Sequence, residues 1–377
     1  MSSISISLGE ICSLITDGKH GDCKNEDDSG FFFISAKDIK DGRIHYENAR
    51  QIIYEDFLET HRRTNLQPGD ILLTNSGTIG RLAIAPDEEI TYKTTFQKSV
   101  AILKPILELI NSKYLYYFLL KNQTRLENAA RGAAQKNLLL SELRRFNILV
   151  PSKDVQNSIV SYLSPYDDLI ENNRRRIQLL EEAARLLYQE WFVRLRFPGH
   201  EHTKIVDGVP EGWRKKTLGE TTVLNYGKAL KEENRIPGPI PVYGSSGIVG
   251  YHEKPLVEGP GIIIGRKGNV GSVFWADSDF HPIDTVYYVN KEETSFFLYY
   301  ALSNISFVNT DVAVPGLNRT YAYSRTIMWP NATIMEMFDS FMAPIHTQIS
   351  LLKKNIDSVV KARDLLLPRL MNGVIPV

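Results

Sequence analysis

Cysteine is scarce in this chain, and neither sign of charge is in excess. Among 377 residues only Cys12 and Cys23 are cysteines, and they do not form a Cys-x-x-Cys pair. A disulfide framework is therefore not expected, and a reducing, cytoplasmic setting fits this usage best. The 44 basic and 44 acidic residues give a formal net charge of zero. Bulk charge thus gives nucleic-acid binding no support, although a locally basic face remains compatible with it.

Membrane, targeting and catalytic signatures are missing too. No apolar stretch has membrane-spanning length, and the segment from Met1 to Glu10 lacks the basic and apolar blocks of a signal peptide. The sequence contains no GxxxxGK[ST] phosphate loop, and no methyltransferase pair of cofactor loop and Asn/Asp-Pro-Pro-Tyr/Phe loop. His200-Glu201-His202 lacks the spacing of a helical metal site. We therefore expect no catalytic residue, no cofactor and no metal.

The main positive feature is an internal repeat. Two series of core-type positions advance in alternating steps of four and three, and each member of the second lies 179 positions after its counterpart: Tyr166, Ile170, Asn173, Ile177, Leu180, Ala184, Leu187, Trp191, and then Ile345, Ile349, Leu352, Ile356, Val359, Arg363, Leu366, Leu370. Such a seam predicts two long helices. The segments ahead of them also echo each other, as in Leu8-Gly9-Glu10 and Leu218-Gly219-Glu220.

The repeat predicts an α+β chain in which a β-rich globular unit and a long helix occur twice. Apolar runs at 70–74, 98–103, 261–265 and 285–289 are typical of strands, and 111–121 and 294–302 of short helices. Each helix must bury its seam, and the other helix is the matching partner. Packed antiparallel, the helices form a coiled coil with the β-rich units at opposite ends, related by a pseudo-twofold axis.

The first long helix is predicted from about Asp167 to Arg194, which gives roughly 40 Å at ~1.5 Å per residue. One turn of B-DNA is about 34 Å, so the helix pair has a suitable length to hold two reading units one turn apart. Asn173 and Arg363 interrupt the apolar seam. They either lie at solvent-facing ends or rims, or fix the register of the helix pair at some cost in stability.

The motifs, in this order, resemble the specificity subunit of type I restriction-modification systems. They are Pro68-Gly69-Asp70-Ile71-Leu72, Gly132-Ala133-Ala134-Gln135-Lys136-Asn137-Leu138, Gly208-Val209-Pro210-Glu211-Gly212-Trp213, Tyr243-Gly244-Ser245-Ser246-Gly247-Ile248-Val249-Gly250-Tyr251, Ile262-Ile263-Ile264-Gly265-Arg266-Lys267-Gly268-Asn269-Val270-Gly271 and His281-Pro282-Ile283-Asp284-Thr285.

The resemblance implies two target recognition domains, each of which reads one half of a bipartite double-stranded DNA site. The helices would set the spacer and dock the modification (methyltransferase) subunits, and the restriction (translocase and nuclease) subunits would complete the enzyme. The corresponding boundaries are 1–150 for domain 1, 151–198 for helix 1, 199–330 for the linker and domain 2, and 331–377 for helix 2. The alternative is a stand-alone DNA methyltransferase or nuclease with an unrecognised catalytic centre.

DNA contacts are expected from cationic, amide and hydroxyl side chains, which suit phosphates and base edges. The candidates in the first unit are Lys37, Arg62, Arg63, Thr74, Asn75, Ser76, Lys93, Lys98, Gln135, Lys136 and Asn137. Those in the second are Lys228, Tyr243, Ser245, Ser246, Arg266, Lys267, Asn318, Arg319 and Tyr321. A solvated surface role is the alternative for each.

Two further groups keep alternatives open. Gly77, Gly80, Gly268 and Gly271 are interpreted as turn glycines with positive φ, in preference to phosphate cradles. Arg174-Arg175-Arg176 is solvated, meets the DNA between the half-sites, or meets a partner subunit.

Overall fold

The computed structural model divides into two units, and each contains segments that are far apart in the sequence. Unit 1 comprises Met1–Ile170 and Ser358–Val377, and unit 2 comprises Glu171–Asp357. The structure describes residues 4–132, 136–307 and 316–376. Two long helices, α7 (Lys153–Tyr188) and α10 (Ala332–Met371), each contribute residues to both units.

The part of unit 1 that precedes α7 is a mixture of short strands and helices. Its strands are β1 (Ile4–Ser7), β2 (Cys12–Asp17), β3 (Phe32–Ile34), β4 (Ile39–Lys40), β5 (Arg43–Ile44), β6 (Arg50–Gln51), β7 (Ile71–Thr74), β8 (Leu82–Ile84), β9 (Thr94–Phe96), β10 (Val100–Pro105) and β11 (Asn147–Val150). Its helices are α1 (Leu8–Ile11), α2 (Tyr54–Thr64), α3 (Glu89–Tyr92), α4 (Ser112–Lys121), α5 (Gln123–Ala129) and α6 (Leu140–Arg145).

A four-stranded sheet in the order β2-β10-β7-β8 forms the centre of unit 1. Successive residues of β7 and β10 face two different apolar clusters: Ile71 and Leu73 pack into one, and Leu72 packs into the other. Alternate side chains of a strand point to opposite faces, so a sheet covered on both faces requires an unbroken apolar run. This explains why the strands were readable from the sequence.

Unit 2 repeats this arrangement. Its strands are β12 (Ile205–Val206), β13 (Val209–Pro210), β14 (Arg214–Thr217), β15 (Asn225–Tyr226), β16 (Ile240–Gly244), β17 (Gly247–His252), β18 (Gly261–Gly265), β19 (Val273–Ala276), β20 (His281–Pro282), β21 (Val286–Val289) and β22 (Thr326–Trp329). Its short helices are α8 (Phe296–Asn304) and α9 (Arg319–Tyr323).

The two units share strand order and individual hydrogen bonds. The central sheet of unit 2 has the order β15-β21-β18-β19, equivalent to β2-β10-β7-β8. The Leu8 N–H donates to the carbonyl of Phe146 (3.0 Å), and the Leu218 N–H donates to that of Arg325 (2.8 Å). At Gly18 an added Cβ would lie 1.8 Å from the Phe96 oxygen. The equivalent close approach in unit 2 occurs at Gly227.

The long helices contact each other within unit 1. Leu163 of α7 and Leu367 and Leu370 of α10 belong to the same apolar cluster as the central sheet. The Arg363 guanidinium donates to Asp167 (2.6 Å), and the Tyr117 hydroxyl also donates to Asp167. Burial opposes the charge of Arg363, but the hydrogen bonds and charges of Asp167 and Asp364 together outweigh it and raise the pKa of Arg363.

Within unit 2 the helix contacts run antiparallel. The Asn173 side-chain N–H donates to Asn355 (2.8 Å), and Ile177 packs in one cluster with Ile349. Further along α7, the Tyr188 ring lies 6.2 Å from that of Phe338. The residue numbers of the contact positions on α10 thus decrease as those on α7 increase.

The first long helix begins earlier than Asp167, the start that its apolar seam predicts. It begins at Lys153, continues through Pro165, and ends at Tyr188 with a π-helical turn at Gln189–Val193. A proline inside a helix costs ~3 kcal/mol. Ile159 and Leu163 are almost fully buried, and each such burial contributes about 1.5–3 kcal/mol, enough together to offset the proline.

Asn173 and Arg363 do not face solvent. The interpretation that they lie at solvent-facing ends or rims of the helices was therefore wrong. Asn173 is 3% exposed, and the side chain of Arg363 is 13% exposed. The predicted seam residues lie inward to varying degrees. Ile170, Ile177 and Ile349 are buried, and the half-buried ones are Leu180, Leu187, Ile356, Val359 and Leu366. That Asn173 and Arg363 fix the register of the helix pair stays a prediction.

An aromatic cluster surrounds His346 of α10 in unit 2. Its ring lies 4.3 Å from that of Phe296 and 5.5 Å from that of Trp275, and its Nε2 atom is 2.9 Å from the Tyr300 hydroxyl. Burial, with a smaller effect from Lys353, lowers the pKa of His346 to about 4.

Along the described part of the chain, no helix combines the length and apolarity needed to cross a membrane.

Candidate nucleic-acid interface

A glycine turn follows the central strand β7 of unit 1. Gly77 and Gly80 have φ of 79° and 86°, as predicted for turn glycines, because this region disfavours residues with a Cβ. The Gly80 N–H donates to the Thr74 carbonyl (2.9 Å), and the Thr74 hydroxyl donates to the Thr78 carbonyl. The turn is therefore closed by its own first residue.

Unit 2 has the same turn after β18. Gly268 and Gly271 have φ of 79° and 78°. The Gly271 N–H donates to the Gly265 carbonyl (2.9 Å), which makes Gly265 the equivalent of Thr74. Arg266 and Lys267 then occupy the positions that Asn75 and Ser76 hold in unit 1.

In both units, a loop distant in sequence joins this turn. The Leu138 N–H donates to the Asn75 carbonyl (2.8 Å), and the Leu317 N–H donates to the Arg266 carbonyl (2.8 Å). Ser76 also forms a bridge with Asn137, as Lys267 does with Gly316. The structure thus brings together segments that the sequence analysis had selected separately: 75–76 with 136–137, and 266–267 with 318–319.

The predicted DNA-contacting residues differ in exposure. The exposed ones are Lys37, Arg62, Arg63, Lys98, Lys136, Asn137, Lys228, Ser246, Lys267, Asn318 and Arg319. The half-buried ones are Ser76, Lys93, Ser245, Arg266 and Tyr321, and the buried ones are Thr74, Asn75 and Tyr243. Gln135 lies outside the described residues.

Several candidates are engaged inside the protein. Arg63 donates to the Gly18 carbonyl (2.7 Å), and Lys93 pairs with Glu89 (2.6 Å). Tyr243 packs in an apolar cluster, and burial raises its pKa to about 12. Asn318 caps α9 by accepting from the Thr320 N–H (2.8 Å). These side chains have identified roles within the fold itself.

Tyr226 was missed by the sequence analysis. Tyr226 is 49% exposed, and two arginine Cζ atoms lie over its ring, that of Arg266 at 5.1 Å and that of Arg319 at 4.9 Å. It precedes Gly227 and Lys228 in a short polar segment that carries no apolar periodicity. An exposed tyrosine beside a selected lysine was the available signal.

Among the residues with described positions, no three His, Cys, Asp or Glu side chains converge in a way that could hold a metal ion. Unit 2 contains a cavity of about 540 Å³ whose wall includes Trp275, Tyr299 and His346.

Cationic, amide and hydroxyl side chains beside the repeated turn are the groups with which proteins contact DNA, and comparison with known families indicates a DNA sequence-reading protein. The model described as the type I restriction modification DNA specificity domain matches residues 5–182 and 210–354. The matches cover most of the chain, which therefore belongs to this family.

Individual relatives carry the same description. The type I restriction enzyme MjaIX specificity subunit of Methanocaldococcus jannaschii is 26% identical over 347 residues, which cover 82% of this chain and 78% of the relative. The HindI specificity subunit of Haemophilus influenzae is 22% identical over 73% of this chain and 80% of its own length.

A solved structure shares the fold. The crystal structure of a type I restriction-modification S subunit from Mycoplasma genitalium covers 98% of this chain and 96% of its own, with a TM-score of 0.52. At 19% sequence identity, the likeness establishes the fold alone.

Proposed function

We propose that this chain is the DNA-recognition subunit of a type I restriction-modification complex and that each unit reads one half of a bipartite site. The observation that carries the proposal is the repeated meeting of turn and loop. In each unit the backbone joins the turn after the central strand to the loop before a short helix. Exposed cations or amides lie where turn and loop meet: Lys136 and Asn137 in unit 1, and Lys267, Asn318 and Arg319 in unit 2. Such groups contact phosphates and bases in DNA complexes.

The long helices are proposed to hold the two reading domains apart and to set the spacer. The recognition domains would correspond to 1–150 and 199–330, and the helical spacers to 151–198 and 331–377. Antiparallel contacts within unit 2, from Asn173 with Asn355 to Tyr188 with Phe338, support a coiled coil. We also propose a pseudo-twofold relation between the domains, because repeated domains would be carried by repeated helices.

The modification subunits are proposed to dock on the outer faces of these helices. On α7, the exposed apolar side chains include two pairs with heptad spacing, Tyr162 with Leu169 and Leu179 with Leu186. Residues seven apart lie on one helix face. Apolar groups clustered on a surface are typical of protein interfaces. The restriction subunits would join the same complex, in the cytoplasm.

Catalysis is assigned to the partners. The purified chain alone should neither methylate nor cleave DNA, and it should confer sequence preference on the assembled complex. Methyl transfer or cleavage by the chain without partners would support the alternative of a stand-alone enzyme.

The test substitutes each unit separately. Lys136→Ala with Asn137→Ala should relax the base preference of one half-site, and Lys267→Ala should relax that of the other. Modified bases would be mapped across the genome of cells that express each variant with its modification subunits. Relaxation of both half-sites by one set of substitutions, or of neither by both sets, would contradict modular reading.

Matched controls come from the opposite ends of the same sheets. Lys113 lies in the first turn of α4 after β10, and Lys291 follows β21. Both are exposed, and each lies beyond the strand end that is remote from the glycine turn. Alanine at either position should leave both half-sites unchanged.

A further inference from the structure

The ring of Tyr226 brings together two arginines from different parts of unit 2. Arg266 comes from the turn after β18, and Arg319 is the first residue of α9. Both Cζ atoms lie within about 5 Å of the ring centre. A guanidinium held over an aromatic face is attracted by the ring and stacks on it. Tyr226 therefore orients two planar donor groups at one exposed place.

The support beneath this ring is fixed. Tyr226 pairs with Tyr287 of β21, and their ring centres are 5.1 Å apart. The buried Tyr287 hydroxyl donates to the Leu317 carbonyl (2.9 Å), which lies between the turn and α9. Burial, together with the neighbouring Tyr226, raises the pKa of Tyr287 to about 12. The hydroxyl thus stays protonated and keeps this bond.

The donor chemistry selects a particular base. Arg266 uses one N–H on the Asp284 carbonyl (2.8 Å), and a guanidinium has five. A planar fork of N–H donors matches the O6 and N7 acceptors of guanine in the major groove, whereas adenine offers one acceptor and one donor there. Lysine provides the charge without the fork.

Unit 1 has no such arrangement at the equivalent positions. Asp17, opposite Ala101 in the sheet, corresponds to Tyr226. Asn75 corresponds to Arg266, and Leu140, at the start of α6, corresponds to Arg319. The two units therefore differ in chemistry where their backbones agree.

We propose that Arg266 and Arg319 read guanine, so that the half-site of unit 2 contains a G·C pair at a fixed position, and that Tyr226 positions both arginines. This inference rests on the proposed function of the chain. It assigns to unit 2 a base preference that the residues of unit 1 do not provide.

The experiment measures binding of the assembled complex to duplexes that carry the site defined by mapping modified bases, with each base pair of one half replaced in turn. The half that Lys267→Ala relaxes is assigned to unit 2. With the natural chain, replacing the G·C pair by A·T should weaken binding about 10- to 100-fold. Arg266→Lys or Arg319→Lys should abolish most of this preference at one position and keep the dependence of binding on salt.

Tyr226 is tested as a positioning residue through a conservative pair of variants. Tyr226→Ala should reduce the G·C preference by about fivefold, because two cation–π contacts are lost. Tyr226→Phe keeps the ring and should retain the preference. Lys291→Ala serves as the unchanged control.

The outcomes separate the two proposals. A split motif whose unit 2 half lacks a G·C pair would overturn this inference and leave the proposed function standing. So would full G·C preference in both lysine variants. Absence of any split motif would refute the proposed function itself.

Discussion

Arg363→Met should weaken the helix pair of unit 1 substantially. The Arg363 guanidinium lies 2.6 Å from Asp167, and the two side chains are 13% and 30% exposed. The substitution keeps the apolar stem of the side chain and removes its charge. Asp167 would then retain only the Tyr117 hydroxyl as a donor among the contacts described above.

The magnitude follows from the partial burial of this pair. Removing one partner of a fully buried ion pair costs ~3–5 kcal/mol. Because Asp167 is 30% exposed, water replaces part of the lost interaction, and we expect a loss of about 2 kcal/mol. Asp364 also pairs with Arg363 but is 52% exposed, so Asp364→Asn should cost less than ~1 kcal/mol.

A double-mutant cycle provides the assay. Hydrogen exchange of α10 amides in unit 1 would report the local free energy of opening for Arg363→Met, Asp167→Leu and the combined variant. The combined variant should recover much of the loss, because an apolar pair replaces the ion pair without leaving an unpaired charge. Losses of the two single variants that simply add would refute this account of the pair.

Three further predictions concern stability and register. The pKa of folded His346, about 4, lies below its usual 6.5, so the unfolded state binds more protons. Stability should be full above about pH 6.5 and fall by roughly 3 kcal/mol towards pH 4. Denaturant titrations should show that His346→Gln removes this component. Asn173→Leu should raise the thermal midpoint, and base mapping should show a mixture of spacer lengths instead of one, because the polar pair with Asn355 no longer opposes slippage. Gly18→Ala should lower stability by about 1–3 kcal/mol or more in urea titrations, because its Cβ would meet the Phe96 oxygen. An unchanged pH profile, a single spacer or an unchanged urea midpoint would contradict the respective prediction.

Much of the fold could be predicted because the repeat consists largely of apolar residues at matching positions. The central strands β7 and β18 are buried on both faces, and each contains an uninterrupted apolar run. Short-range periodicity was therefore sufficient to identify them. The start of α7 could not be predicted from its apolar seam, because Pro165 is a local signal against a helix and the apolar contacts that outweigh it come from distant residues.

The location of the candidate site could be predicted from the sequence, but not all of its residues or their burial. The turn that contains Arg266 and Lys267 was identified from its glycines, whose positive φ a sequence pattern can indicate. Tyr226 was missed because its importance comes from arginines 40 and 93 positions later in the chain. The burial of Thr74 was also hidden, since a hydroxyl that closes its own turn looks the same in sequence as one that faces DNA.

The most direct test of the account is to map modified bases in cells that express the unaltered chain with its modification subunits. Two short specific sequences separated by a gap of constant length and variable composition are predicted. A single continuous recognition sequence, or methylation without sequence preference, would contradict the claim that two repeated domains each read half of one site.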